Sequence, residues 1–273
     1  MDKKRILFIS QEITPYLPEN QLSKSALEVA KKMNDQGHEV RVFMPRFGVI
    51  NERRHQLHEV IRLSGINIVI NDMDMPLIIK VASVPQTRMQ VYFIDNDEFF
   101  KRKQTYFDKE HKFFEDNAER SVFFCKGVIE TIKKLGWKPD IIHVHGWMAS
   151  LVPTYLKLFN NDDPLFSEAK VVESVYSKGF EGELNENLTK AMEFDNVQGD
   201  DLEFYKKPYH TNMIKASLRH VDGVVKADDK IDEDLLRFIN DQNLPIFEGS
   251  HLISSPGDIE KFYEALVMEE EVA

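Results

Sequence analysis

Short apolar runs closed by turn residues alternate along this chain with stretches whose apolar residues return at helical spacing. That alternation is the pattern of βαβ units around a mainly parallel sheet. RILFIS, residues 5–10, reads as a first strand. Leu22, Ala26, Val29, Ala30 and Met33 then recur three or four apart, and Gly37 suits the position just past such a helix. EVRVFM, residues 39–44, follows as a second strand stopped by Pro45. Strand, helix and strand with so short a return open a Rossmann-like domain.

From 66 to 93 the segments INIVIN, PLIIKVASV and MQVYFID are β-rich with no long helix between them, which predicts hairpins at a sheet edge. Helical patterns follow over 116–135 and 148–158, with a strand over 140–145 between them. A strand is expected over 170–176, a helix over 209–220, an extended segment at Gly223–Lys226 and a helix over 232–239. A last strand at 244–247 and a helix over 257–267 close the chain. Residues 160–167 and 182–207 are polar and weakly periodic. Without an internal repeat or a linker, 1–273 reads as a single α/β domain, with helices on both faces of the sheet and 240–273 docking back as a terminal strand and helix.

Composition narrows the function classes. The 273 residues are 42% hydrophobic and 30% charged, as expected of a chain that builds a core. The net charge of -11 argues against a nucleic-acid backbone as partner. The basic run at 101–103 and the acidic tail at 269–271 read as solvated segments, though an acidic surface also suits a protein partner. The lone Cys125 sits in an apolar helical run and reads as a buried small hydrophobe. MDKKRILFIS lacks the long apolar region of a signal peptide, and no run is long enough for a bilayer, so a cytoplasmic location without membrane contact is expected.

The richest stretch is LGWKPDIIHVHGWMASLVP, residues 135–153, a strand that exits into His143, His145 and Trp147 before a new helix. Ligands of open α/β sheets collect just beyond such carboxyl ends. His143 and His145 are expected on opposite strand faces, with His145, nearer the end, turned to a cleft. Two such residues do not make a metal site, and no metal or cofactor is expected. An indole in the place of Trp147 serves packing more often than ligand contact. Arg120 is expected to pair with an acid on its own helix as an exposed ion pair, and Asp95 and Asn96 to form a plain turn.

Several strings together resemble the N-terminal domain of glycogen and starch synthases, ADP-glucose-dependent glucosyltransferases of glycosyltransferase family 5 with the two-domain GT-B fold. They are KRILFISQEITPY, GHEVRVFMPRFG, VYFIDNDEFF, EDNAERSVFFCKGVIETIKKLGWKPDIIHVHGWMASLVPTYLK and NMIKASLRHVDGVV. The resemblance runs from Lys4 to about Asp234 and implies one GT-B half. With roughly forty residues beyond it, the donor half of the cleft is expected to be absent. Glu12 stands where the family has a glutamate near the donor loop, and Arg46 in its Pro-Arg turn. Glu12, Arg46, His145, Trp147 and Tyr176 are the expected groove-lining residues.

Three departures bear on chemistry. Where the family has Lys-Thr-Gly-Gly-Leu against the nucleotide diphosphate, this chain has Pro18, Glu19, Asn20, Gln21 and Leu22. A cation and both glycines are replaced, and a carboxylate is added. Gly146 and Met148 replace the Asp and second His of His-Asp-Trp-His. Tyr176 takes the place of the histidine beside the transferred glucose, and no catalytic residue is assigned. The expectation is a degenerate, stand-alone domain that binds an α-glucan or ADP-glucose, or regulates, without transferring glucose by itself. The alternatives are an active enzyme completed by a second polypeptide or by homo-oligomerisation, and a protein-interaction module with no carbohydrate role.

Overall fold

The computed structural model describes residues 3–87, 89–177 and 179–268, so the acidic tail at 269–271 lies outside the described residues. Along the chain the elements are β1 (Arg5–Ser10), α1 (Gln21–Asp35), β2 (Glu39–Pro45), α2 (Glu52–His55), β3 (His58–Glu59), β4 (Ile66–Ile70), β5 (Met73–Ser83), β6 (Gln90–Asp95), α3 (Asp97–Phe100) and α4 (Asn117–Leu135). They continue with β7 (Ile141–His145), a 3₁₀ turn at Trp147–Ala149, α5 (Leu151–Phe159), β8 (Lys170–Val175), α6 (Asn187–Phe194) and α7 (Asp200–Tyr205). The last are α8 (His210–Leu218), β9 (Gly223–Lys226), α9 (Glu233–Asp241), β10 (Ile246–Glu248) and α10 (Glu260–Met268).

The strands form a sheet in the order β10-β9-β8-β7-β1-β2-β6-β5-β3, with β4 on β5. From β10 to β6 every pairing is parallel, whereas β3, β4 and β6 all pair antiparallel with β5. The burial patterns explain the division. β7, and β1 beyond Arg5, are buried on both faces, as a strand covered by helices on two sides must be, while β5 alternates buried and exposed positions like a strand wetted on one face. From β1 the sheet grows one way through β2 and the other way through β7, so the strand order reverses between β1 and β7. In such sheets that reversal opens a crevice at the carboxyl ends.

Local chemistry starts and stops the helices beside that crevice. The Asn20 side chain accepts from the Ser23 N–H, and the Ser23 hydroxyl bonds back to the Asn20 N–H, a reciprocal cap that begins α1. Gly136, with φ of 59°, ends α4 and turns the chain into β7. The polar stretch 182–207 holds two short helices, α6 and α7, whose few apolar residues, such as Leu188, Met192 and Tyr205, are buried against larger neighbours.

Three local expectations are corrected. His143 and His145 share one face of β7, with ring centroids 4.0 Å apart, because side chains two residues apart on a strand point the same way. Arg120 is not an exposed ion pair but is wholly buried, stacked over Phe47, Phe100 and Phe114. It donates to the Thr105 carbonyl at 2.8 Å and to Asn117 Oδ1 at 2.6 Å, and burial lowers its pKa to about 10. Asn96 is no plain turn residue. Its side chain caps α3, and Asp95 beside it is buried in ion pairs with Arg46 at 2.9 Å and Lys80 at 3.1 Å.

The terminal segment packs on the sheet through polar as well as apolar contacts. Tyr263 of α10 places its hydroxyl 2.6 Å from His143 Nδ1, and His143 Nε2 lies 2.8 Å from the Ser174 hydroxyl. Both histidine nitrogens are thus matched inside the core. Removing the phenol in Tyr263→Phe leaves a buried imidazole nitrogen without a partner. The expected loss is about 1–2 kcal/mol, read as a lower urea midpoint; an unchanged midpoint would show that α10 is held by apolar packing alone.

Candidate functional site

At the switch point, the carboxyl ends of β1, β7, β8 and β9 surround a cleft of about 420 Å³. Gln11 and Glu12 line it after β1, Trp147 after β7, Tyr176 and Gly179 after β8, and Asp228 and Asp229 after β9. The start of α1 adds Asn20, Gln21 and Leu22, the α3–α4 connection adds Tyr106, and the segment after β10 adds Ser250. A second groove of about 450 Å³ runs between β4 and α4–α6, away from the strand ends. Strand-end placement and convergent polar groups favour the first as the functional site.

The β7 exit is set by glycine. Gly146 has φ of 88° and ψ of 158°, a conformation essentially restricted to glycine. A Cβ there would lie 2.5 Å from the Gln11 side chain, whose Oε1 accepts from the Met148 N–H at 3.1 Å. The Gln11 amide therefore fills the space over Gly146 and fixes the turn that carries Trp147. Trp147 is only 2% exposed and packs against Tyr106, Phe113 and Phe180, so it is an aromatic cleft wall continuous with the core.

Of the five residues expected to line the groove, the structure brings Glu12, Trp147 and Tyr176 together. Glu12 accepts from the Asn20 side-chain amide, which joins the β1 exit to the cap of α1. Tyr176 offers its ring to the cleft, but its hydroxyl turns inward to His145 Nδ1 at 2.8 Å, so it is not poised to donate to a ligand. His145 lies wholly beneath the surface and is not among the lining residues; burial lowers its pKa to about 3, which keeps the imidazole neutral. Arg46 also lies outside the cleft, engaged by Asp95 and by Glu52 at 3.3 Å.

Asp228, Asp229, Gln21, Tyr106 and Ser250 were missed as lining residues. The first two follow directly on the strand Gly223–Lys226, so strand-exit reasoning applied there would have found them. Burial opposes ionisation of Asp228, but the Ser177 hydroxyl at 2.5 Å and backbone N–H groups outweigh it and lower its pKa. Tyr106 is held protonated by burial and by the adjacent Glu12 carboxylate. Among the described lining residues there is no lysine or arginine. The described lining residues thus offer carboxylates, amides and aromatic rings. Among the described residues no group of His, Cys, Asp and Glu is placed to hold a metal ion, and no helix is long and apolar enough to cross a membrane.

Comparisons with known proteins agree with this architecture. The starch synthase catalytic domain model matches residues 5–244. Glycogen synthase of Chlorobium limicola is 32% identical over 219 residues, 80% of this chain and 44% of that protein. Glycogen synthase of Chlorobium phaeovibrioides is 33% identical over 219 residues, again 80% and 44%. The chain therefore spans a little under half the length of these relatives. The catalytic domain of starch synthase IV from Arabidopsis thaliana, bound to ADP and acarbose, superposes with a TM-score of 0.68 at 18% identity, over 82% of this chain and 45% of that one, and shows a shared fold. By the match over residues 5–244 and by its mostly parallel α/β sheet, the chain belongs to the starch synthase catalytic domain family.

Proposed function

We propose that this chain is a glycogen/starch synthase-like domain whose strand-end cleft binds a neutral α-glucan segment and does not by itself transfer glucose from ADP-glucose. The observation that carries the reading is the charge of the cleft. Glu12, Asp228 and Asp229 converge on it, and none of its described lining residues is a lysine or arginine. Among the described lining residues a nucleotide diphosphate would meet carboxylates with no offsetting cation, and a departing diphosphate would find no positive charge to stabilise it. Uncharged sugar hydroxyls suit the same groups. Carboxylates and amides accept or donate to hydroxyls, and the Trp147 and Tyr176 rings supply apolar wall.

The α1 start supports the same reading. Asn20 spends its side chain on the helix cap and on Glu12, and Glu19 pairs with Lys24, so this turn closes on itself rather than presenting a cation to the cleft. Calorimetry of the purified chain is expected to show saturable binding of maltoheptaose, weakened about fivefold in Glu12→Gln, the loss of one ordinary hydrogen bond. ADP is expected to give no heat of binding. A coupled assay with ADP-glucose and glycogen is expected to stay at the blank; clear turnover by the chain alone would overturn the proposal.

A further inference from the structure

A groove of about 270 Å³ opens at the amino ends of β8 and β9, the edge of the sheet opposite the cleft. Its charged walls are Lys157 of α5, Lys170 at the start of β8, and Arg219, His220 and Asp222 in the turn from α8 into β9. The two nearest carboxylates are already committed. Asp222 accepts from the Val171 N–H at 2.7 Å. Asp201 of α7, behind the groove, takes both Arg219 Nε and His220 Nε2 at 2.9 Å. The Asp200 carboxylate stands 4.0 Å from Arg219 Nη2, at the edge of ion-pair distance. His220 records the crowding of positive charge: burial lowers its pKa, Asp201 opposes this, and Arg219 and Lys157 both add to the lowering.

We infer that this groove is a binding site for a small phosphate monoester. Asp201 orients the Arg219 guanidinium through Nε, Asp200 stands 4.0 Å from Nη2 and the Phe204 ring lies 5.9 Å from Cζ, while the planar guanidinium carries further N–H donors for an anion. Lys157 stands on an exposed helix face across from it, and Ser167 adds a hydroxyl. The volume exceeds what a bare phosphate fills, since a water's share of liquid is roughly 30 Å³, so room remains for an organic portion.

Titration at low ionic strength with glycerol 2-phosphate and with inorganic phosphate tests the site by calorimetry and by NMR shifts confined to 157–170 and 219–222. Binding of both is expected, tighter for the ester and weakening as salt rises. Lys157→Gln, a change on an exposed face, is expected to weaken binding about tenfold, and Arg219→Gln at least as much, while Lys103→Gln on another surface leaves it unchanged. Tighter binding of inorganic phosphate would overturn the ester assignment and keep the anion site. Absence of saturable binding by either probe, or affinity unchanged in both Lys157→Gln and Arg219→Gln, would overturn the site itself.

Discussion

Denaturation measured across pH is expected to show greatest stability near pH 6.5, falling on both sides, with one carboxyl group responsible for the alkaline side. Glu173, on the face of β8 covered by α8, is wholly buried, and neither of its oxygens has a hydrogen-bond partner of good geometry. Burial raises its pKa from 4.5 to about 8, and the Ser217 hydroxyl offsets only part of that. The folded protein therefore keeps a proton that the unfolded chain releases. Stability from this group is complete below pH 4.5, declines as pH rises, and is lost above pH 8, a difference of roughly 5 kcal/mol at most. Histidines govern the acid side with the opposite sign. His143, His145 and His210 have pKa values lowered by burial, the last two to about 3 and about 4, so below 6.5 the unfolded chain takes up protons that the folded one refuses. Together they remove up to about 4 kcal/mol per pH unit on the way to pH 4.5. Glu173→Gln should flatten the limb between pH 6 and 8 and raise stability at pH 8, and it should steepen the acid limb by about 1.4 kcal/mol per pH unit, because Glu173 opposes the histidines there. An alkaline limb of undiminished slope in that variant would show that Glu173 does not carry it.

The same residue illustrates what a sequence shows and what it withholds. KVVESV is legible as a strand because its three valines suit a buried extended segment once helices are assigned to both sides. That Glu173 carries its carboxyl into the core is not legible, because the α8 residue beside it, Ser217, lies more than forty positions away. Arg120 fails for the same reason: its stacking partners Phe47, after β2, and Phe100, at the end of α3, come from segments that the helical pattern of α4 says nothing about. Strand exits were legible as a class. The rule that places ligands at carboxyl ends pointed to Trp147, the family resemblance pointed to Glu12 and Tyr176, and the same rule extended to β9 reaches Asp228 and Asp229. The direction of the Tyr176 hydroxyl was beyond it, since that is fixed by His145 on the neighbouring strand. Arg46, taken from the Pro-Arg turn of the family resemblance, is engaged instead by Asp95 and Glu52.

Restoring aspartate at position 146, the residue in the family string that this stretch resembles, is expected to unfold part of the population rather than repair a site. Two independent costs fall on Gly146→Asp. Its φ of 88° and ψ of 158° lie where a side chain costs about 1–3 kcal/mol. Its Cβ would also meet Gln11 Cδ and Oε1 at 2.5 Å, and Gln11 is itself buried, so a further ~1–3 kcal/mol of overpacking follows unless it moves. Moving it forfeits the bond to the Met148 N–H. The clash, unlike the backbone strain, can be relieved. In a double-mutant cycle, Gln11→Ala should reduce the cost of Gly146→Ala by about 1 kcal/mol or more while leaving the backbone part in place. Additive losses in urea denaturation would mean that Gln11 does not hold the space over Gly146. The coupling has a consequence for the cleft. Gln11, Gly146 and Met148 form one packed unit beneath Trp147, so the polar groups that the resemblance would put at 146 and 148 cannot return one at a time. The cleft keeps its wall of Glu12, Trp147 and Tyr176 with glycine at this turn, whereas a carboxylate at 146 needs a different backbone at the end of β7.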